Sequence, residues 1–147
     1  MEELTPAPQP ETTAKRTNLL TVLCILTFIG SGMNMVSSLF IAGFYEYFTE
    51  VAEILAKKFN WPGIETMLEV KPSFFLISGL FYASTIAGAL LMFHLKKVGF
   101  HVYTISQILL ILAPMYFMNL RGPVFLDILL SGTFVLLYAT QIKTMKG

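Results

Sequence analysis

The stretch from Leu19 to Phe44, LLTVLCILTFIGSGMNMVSSLFIAGF, decides the fold. Its only ionisable side chain is the thiol of Cys24. At about 1.5 Å of rise per residue, this run reaches about 39 Å as a helix, enough to cross the hydrocarbon of a bilayer with some tilt. Three further apolar runs follow at about residues 74–95, 100–118 and 124–142. Their lengths predict three more crossings.

The composition agrees. Of the 147 residues, 55% are hydrophobic and 13% charged, about half the charge a soluble domain carries. A water-soluble domain of this size would have to cover more apolar surface than its polar residues can mask, so the bilayer must be the solvent. A formal net charge of +1, with scattered Lys and Arg, gives no basic face for nucleic acid. Cys24 is the single cysteine and reads as a small buried hydrophobe. One thiol and two histidines make a poor ligand set for a metal, so no metal or other cofactor is expected.

Outside the spans the pattern changes. Residues 1–18 carry Pro6, Pro8 and Pro10 among polar residues and are expected to form a disordered tail. In residues 45–59, Phe48, Val51, Ala52, Leu55 and Phe59 recur at helical spacing, opposite Glu46, Glu50, Glu53 and Lys57. This predicts an amphipathic helix at the membrane interface, ended by Asn60-Trp61-Pro62-Gly63, with Trp61 anchoring at headgroup depth. Pro72 suits a helix start, and Lys96-Lys97-Val98-Gly99 reads as a tight basic turn. Pro114 should free the carbonyl of Leu110 and bend the third span.

Basic residues set the expected orientation. Lys15, Arg16, Lys96, Lys97, Lys143 and Lys146 fall on one side, Lys57, Lys58, Lys71 and Arg121 on the other. This imbalance places both termini in the cytoplasm. Lys15-Arg16, the following apolar run and Gly30-Ser31-Gly32 imitate a signal peptide, but the apolar run continues past Gly32, which favours a retained span over cleavage.

Catalytic patterns are absent: no HExxH, no GxSxG, no Gly-rich phosphate loop and no paired carboxylates within the spans. His94 and His101 flank the basic turn and read as interfacial residues. Asp127 is the one intramembrane acid. Its structural reading is a helix-start carboxylate favoured by the macrodipole and near enough to Arg121 to pair with it; its functional reading is a transport or ligand group. Asn34, Ser84, Thr85, Gln107, Ser131 and Thr133 fall near the midplane, at least one on each span. They read either as interhelical glue or as the lining of a polar cavity. Gly79, Ala83 and Ala87, spaced by four, predict a close helix-packing stripe.

The run from Leu19 to Gly32, LLTVLCILTFIGSG, resembles the opening of uncharacterised small bacterial membrane proteins with four predicted transmembrane helices. The resemblance implies a bacterial inner-membrane location and carries no activity. Small multidrug-resistance transporters share the four-span layout, but their first-span glutamate has no counterpart between Leu19 and Phe44.

The expected fold is an all-α membrane protein, a four-transmembrane-helix up-and-down bundle with an interfacial amphipathic helix between spans 1 and 2. The leading functional expectation is a non-enzymatic accessory or scaffold protein. Its partners would be the lipid bilayer, another membrane protein or a second copy of itself. The alternative is a small transporter or channel for an uncharged or small solute, acting alone or as a dimer. Flux in proteoliposomes discriminates between them.

Overall fold

The computed structural model describes residues 15–60, 64, 68–118 and 125–146. Among the described residues five α-helices follow in order: α1 (Asn18–Gly43), α2 (Tyr45–Phe59), α3 (Pro72–Phe93), α4 (Val98–Met118) and α5 (Phe125–Gln141). A 3-10 turn, Ile142–Thr144, extends α5. Four of these helices are long and apolar enough to cross a membrane, and the chain is a multi-pass integral membrane protein with a four-helix transmembrane bundle.

The burial pattern supports this independently of hydropathy. Side chains hidden inside the bundle include Thr27, Ser31, Ser78, Thr85 and Ser106, while Val22, Ile29, Met33, Val36 and Phe40 form an exposed apolar stripe along α1. A soluble protein buries the second set and exposes the first. Apolar residues such as Leu20, Leu23 and Met92 are buried as well, but polar groups inside and a continuous apolar stripe outside fit a lipid solvent, in which helices associate by close packing and polar contacts rather than by the hydrophobic effect.

Local chemistry fixes the helix ends. Thr17 caps α1 by accepting the Leu20 N–H at 3.3 Å. Between α1 and α2 the backbone leaves helical geometry at Phe44 (φ −118°, ψ 38°). α2 occupies the expected residues and stops at Asn60, whose left-handed conformation (φ 47°) asparagine tolerates better than most residues. Pro72 stands in the first turn of α3, where its missing N–H costs nothing.

The turn after α3 differs from its expected form. Leu95 takes a left-handed conformation (φ 61°), Lys96 N–H bonds the Leu91 carbonyl at 2.9 Å, and Leu95 N–H bonds that of Met92 at 2.8 Å. This paired closure usually places glycine at the left-handed position. The nearby glycine is used otherwise: Gly99 lies inside α4, buried against α3. A Cβ on Gly99 would stand 2.5 Å from the Gly88 carbonyl oxygen, and one on Gly88 would stand 2.7 Å from the Tyr103 nitrogen. The α3–α4 crossing is therefore backbone on backbone.

α3 is the central helix, packed extensively on α1 and α4, whereas α5 attaches more sparingly to α4 and α1. Around the termini the bundle is closed. Leu20, Leu23, Cys24, Met92, Tyr103, Tyr138 and Met145 form one buried cluster. Lys146 N–H bonds the Leu95 carbonyl at 2.7 Å, and Thr17 bonds Gln141, tying the ends of α1, α3 and α5 together. Most of the predicted tail, the Trp61 anchor and Arg121 lie outside the described residues.

Candidate functional site: a polar cleft between the four spans

Away from the termini the bundle opens. α5 begins with six consecutive exposed residues, Phe125 to Leu130, and among its residues Tyr138 alone is fully buried. The separation between α5 and its neighbours leaves a cleft of about 460 Å³ bounded by α1, α3, α4 and α5. This volume lies within the range of small-molecule sites, roughly 300–1,000 Å³.

Each span contributes polar groups for a simple geometric reason. On α1, Thr27, Ser31, Asn34 and Ser38 recur at intervals of three and four residues and so share one face. α3 presents Ser78 and Tyr82, again four apart, and α4 presents Gln107. α5 presents Asp127 and Ser131, also four apart. Pro114 and Leu110 lie on the α4 wall. Pro114 has no N–H to offer the Leu110 carbonyl, so the backbone group it leaves unengaged belongs to a cleft residue.

Hydrogen bonds order part of this lining. Ser131 donates to Gln107 Oε1 at 2.8 Å, joining α4 to α5 within the cleft. Asn34 donates its amide to the Gly30 carbonyl at 2.8 Å within its own helix. At the floor, the Thr27 and Tyr138 hydroxyls are 2.9 Å apart, and the Tyr103 and Tyr138 rings meet edge to face with centroids 4.8 Å apart. Below that floor Cys24 is fully buried, its thiol 3.5 Å from the Ala89 carbonyl oxygen.

The predicted midplane layer divides in two. Asn34, Gln107 and Ser131 meet in the cleft, and Asp127 joins them. Ser84, Thr85 and Thr133 do not: each hydroxyl bonds the carbonyl four residues back in its own helix, at Leu80, Phe81 and Leu129. Such back-bonding satisfies a hydroxyl without a second helix. The small-residue stripe also divides. Gly79 packs against Leu39 of α1, with its notional Cβ 2.8 Å from Leu39 Cδ2, whereas Ala83 is half-buried and Ala87 exposed.

Sequence reading missed Thr27, Ser31, Ser38, Ser78 and Tyr82 as cleft residues. The signal was present for α1, because a repeating hydroxyl or amide at positions 27, 31, 34 and 38 marks a continuous polar face. Among the described residues, no three His, Cys, Asp or Glu side chains gather as a metal site. In comparisons with protein-family models, curated proteins and solved structures, nothing matches the chain.

Proposed function

We propose that the chain is a non-enzymatic membrane protein of the small-transporter or channel class, and that the cleft receives a small polar molecule or headgroup. The observation supporting this reading is the convergence of Asn34, Gln107, Ser131 and Asp127, from three spans, on one cavity closed toward the termini. Ser131 and Gln107 pair across helices as glue would, but Ser31, Ser38 and Ser78 border the same open volume with no side-chain hydrogen bond among the described residues. An intramembrane carboxylate beside that volume adds to the case. The test is solute flux into proteoliposomes: Asn34→Leu and Gln107→Leu should abolish uptake while the protein remains folded. Retained uptake in both variants would remove the reading.

A second reading is a non-enzymatic accessory or scaffold protein that binds a membrane partner, lipid or a second copy. It is favoured by the sparsely packed start of α5, where Phe125, Leu126 and Leu129 are exposed, and by the uncovered Gly30 and Gly32 of α1. Recovery of the protein free of any partner after mild solubilisation would count against it.

For location we propose the bacterial inner membrane, on the resemblance carried by the run from Leu19 to Gly32, with both termini cytoplasmic, on the asymmetry of Lys and Arg between the two sides. On a Cys24→Ser background, single cysteines at Gly63 and Gly122 should label from outside cells. Cysteines at Lys97, exposed in the turn after α3, and at Thr144 should not.

A further inference from the structure

We propose that the cleft selects an organic ammonium group, protonated or quaternary, rather than an anion or a neutral solute. The inference rests on the cleft being a ligand site, and it names the chemistry of that ligand. Three features of the lining carry it. The charged side chain that lines the cleft is the carboxylate of Asp127, and none of the described lining residues is Lys, Arg or His. An anion would meet a like charge there, with no basic group among the described cleft residues to offset it.

The second feature is aromatic. Phe74, Phe75, Tyr82, Tyr103 and Phe134 present rings to the same volume. Ring faces carry negative electrostatic potential and attract alkylated ammonium groups, whose weak hydration makes them easier to strip of water than an inorganic cation. An inorganic divalent ion would instead require several anionic oxygens, and the described cleft residues supply one carboxylate.

The third feature is the supply of acceptors. Among the described residues, Asn34 directs its amide nitrogen to the Gly30 carbonyl, which leaves the side-chain carbonyl oxygen without a partner. Hydroxyls at Ser31, Ser38 and Ser78 add acceptors along the α1 and α3 walls. A protonated amine would find acceptors on these walls and a counter-charge at α5, while its alkyl part lies against the rings. Free amines and ammonium-bearing lipid headgroups share this chemistry.

The test uses the full chain in nanodiscs of phosphatidylglycerol. A thiol-reactive fluorophore reports unfolding as the buried Cys24 becomes accessible, giving a thermal midpoint for each condition. Choline is the probe, and 3,3-dimethyl-1-butanol, of similar shape without the charge, is the control. A dose-dependent rise in midpoint with choline but not with the alcohol is expected. Asp127→Asn should keep the ligand-free midpoint and weaken choline by about tenfold or more, the scale of a lost charged partner. Tyr82→Leu should weaken it several-fold.

Stabilisation by doping the discs with phosphatidylethanolamine, with no response to choline, would support the ammonium site and assign it to a lipid headgroup. Equal responses to choline and the alcohol, or an undiminished response in Asp127→Asn, would overturn the ammonium inference and leave the cleft as a site for neutral solutes. If choline and phosphatidylethanolamine have no effect but neutral solutes are still transported, the ammonium inference alone fails. If transport is absent too, the proposed function fails with it.

Discussion

The two ends of the bundle use the same four helices in opposite ways. Near the termini, α1, α3, α4 and α5 converge on Tyr138, Tyr103, Met92 and Cys24, and the chain end is tied by Lys146 to the turn after α3. At the other end, α5 stands away from its neighbours and leaves polar walls around an open volume. Helix packing in lipid needs close approach, because no hydrophobic force gathers apolar surfaces there. The closed end achieves it for all four helices, with glycine at Gly88 and Gly99 and with fully buried side chains, while at the open end α1 and α3 still meet closely at Gly79 and Leu39 but α5 stands off and leaves polar surface facing the cleft. Close packing and open polar surface thereby fall to different halves of the bundle.

This contrast is broken most severely at the α3–α4 crossing. Gly99→Val should cost about 3 kcal/mol or more, because the added carbons meet the Gly88 carbonyl and the Met92 nitrogen rather than a movable side chain. Gly30→Val, where nothing lies within 4 Å of the added Cβ, should be close to neutral. Reversible unfolding in mixed micelles measures both, and equal costs would mean that the crossing is not the tight contact described.

Truncations of core and cleft aromatics should separate the halves next. Tyr138→Ala removes a fully buried ring at the closed end and should cost about 3 kcal/mol. Phe134→Ala, one turn earlier and facing the cleft, removes a half-buried ring and should cost about 1 kcal/mol by the same reasoning. The smallest effects belong to single polar contacts: Tyr138→Phe and Ser131→Ala each lose one interhelical bond, worth about 0.6 kcal/mol on average in membrane bundles. The two should part in function, since Ser131 borders the cleft volume and Tyr138 lies beneath its floor.

The spans were legible in sequence because lipid imposes long uncharged runs, and the amphipathic segment because its period survives in fifteen residues. Structure shifts the span ends by about two residues: α3 starts at Pro72 rather than 74, and α4 at Val98 rather than 100. The run Lys96-Lys97-Val98-Gly99 reads as a tight basic turn, yet Gly99 lies within α4. Its role depends on which residue of α3 faces it, which one chain segment cannot reveal. Leu95 carries the turn instead, held in the left-handed region while its side chain packs on the buried cluster.

The cleft was half legible for a similar reason. Asn34, Gln107, Ser131 and Asp127 stand out as polar residues among apolar ones, and the structure brings them to one cavity. Ser84, Thr85 and Thr133 stand out equally, but hydroxyls can bond their own helix, so depth alone could not separate the two groups. Tyr82 escaped notice because its ring reads as apolar, and helix rotation decides whether it faces lipid or cleft.

The most direct test of this two-ended architecture is the reactivity of single cysteines toward a small water-soluble methanethiosulfonate, on a Cys24→Ser background in membrane vesicles. Thiolates react where water reaches them. Ser38→Cys, Gln107→Cys and Ser131→Cys should react readily, while Leu23→Cys and Met92→Cys should stay protected until the protein is unfolded. Protection at all five positions, or equal reaction at all five, would contradict a water-accessible cleft above a closed end.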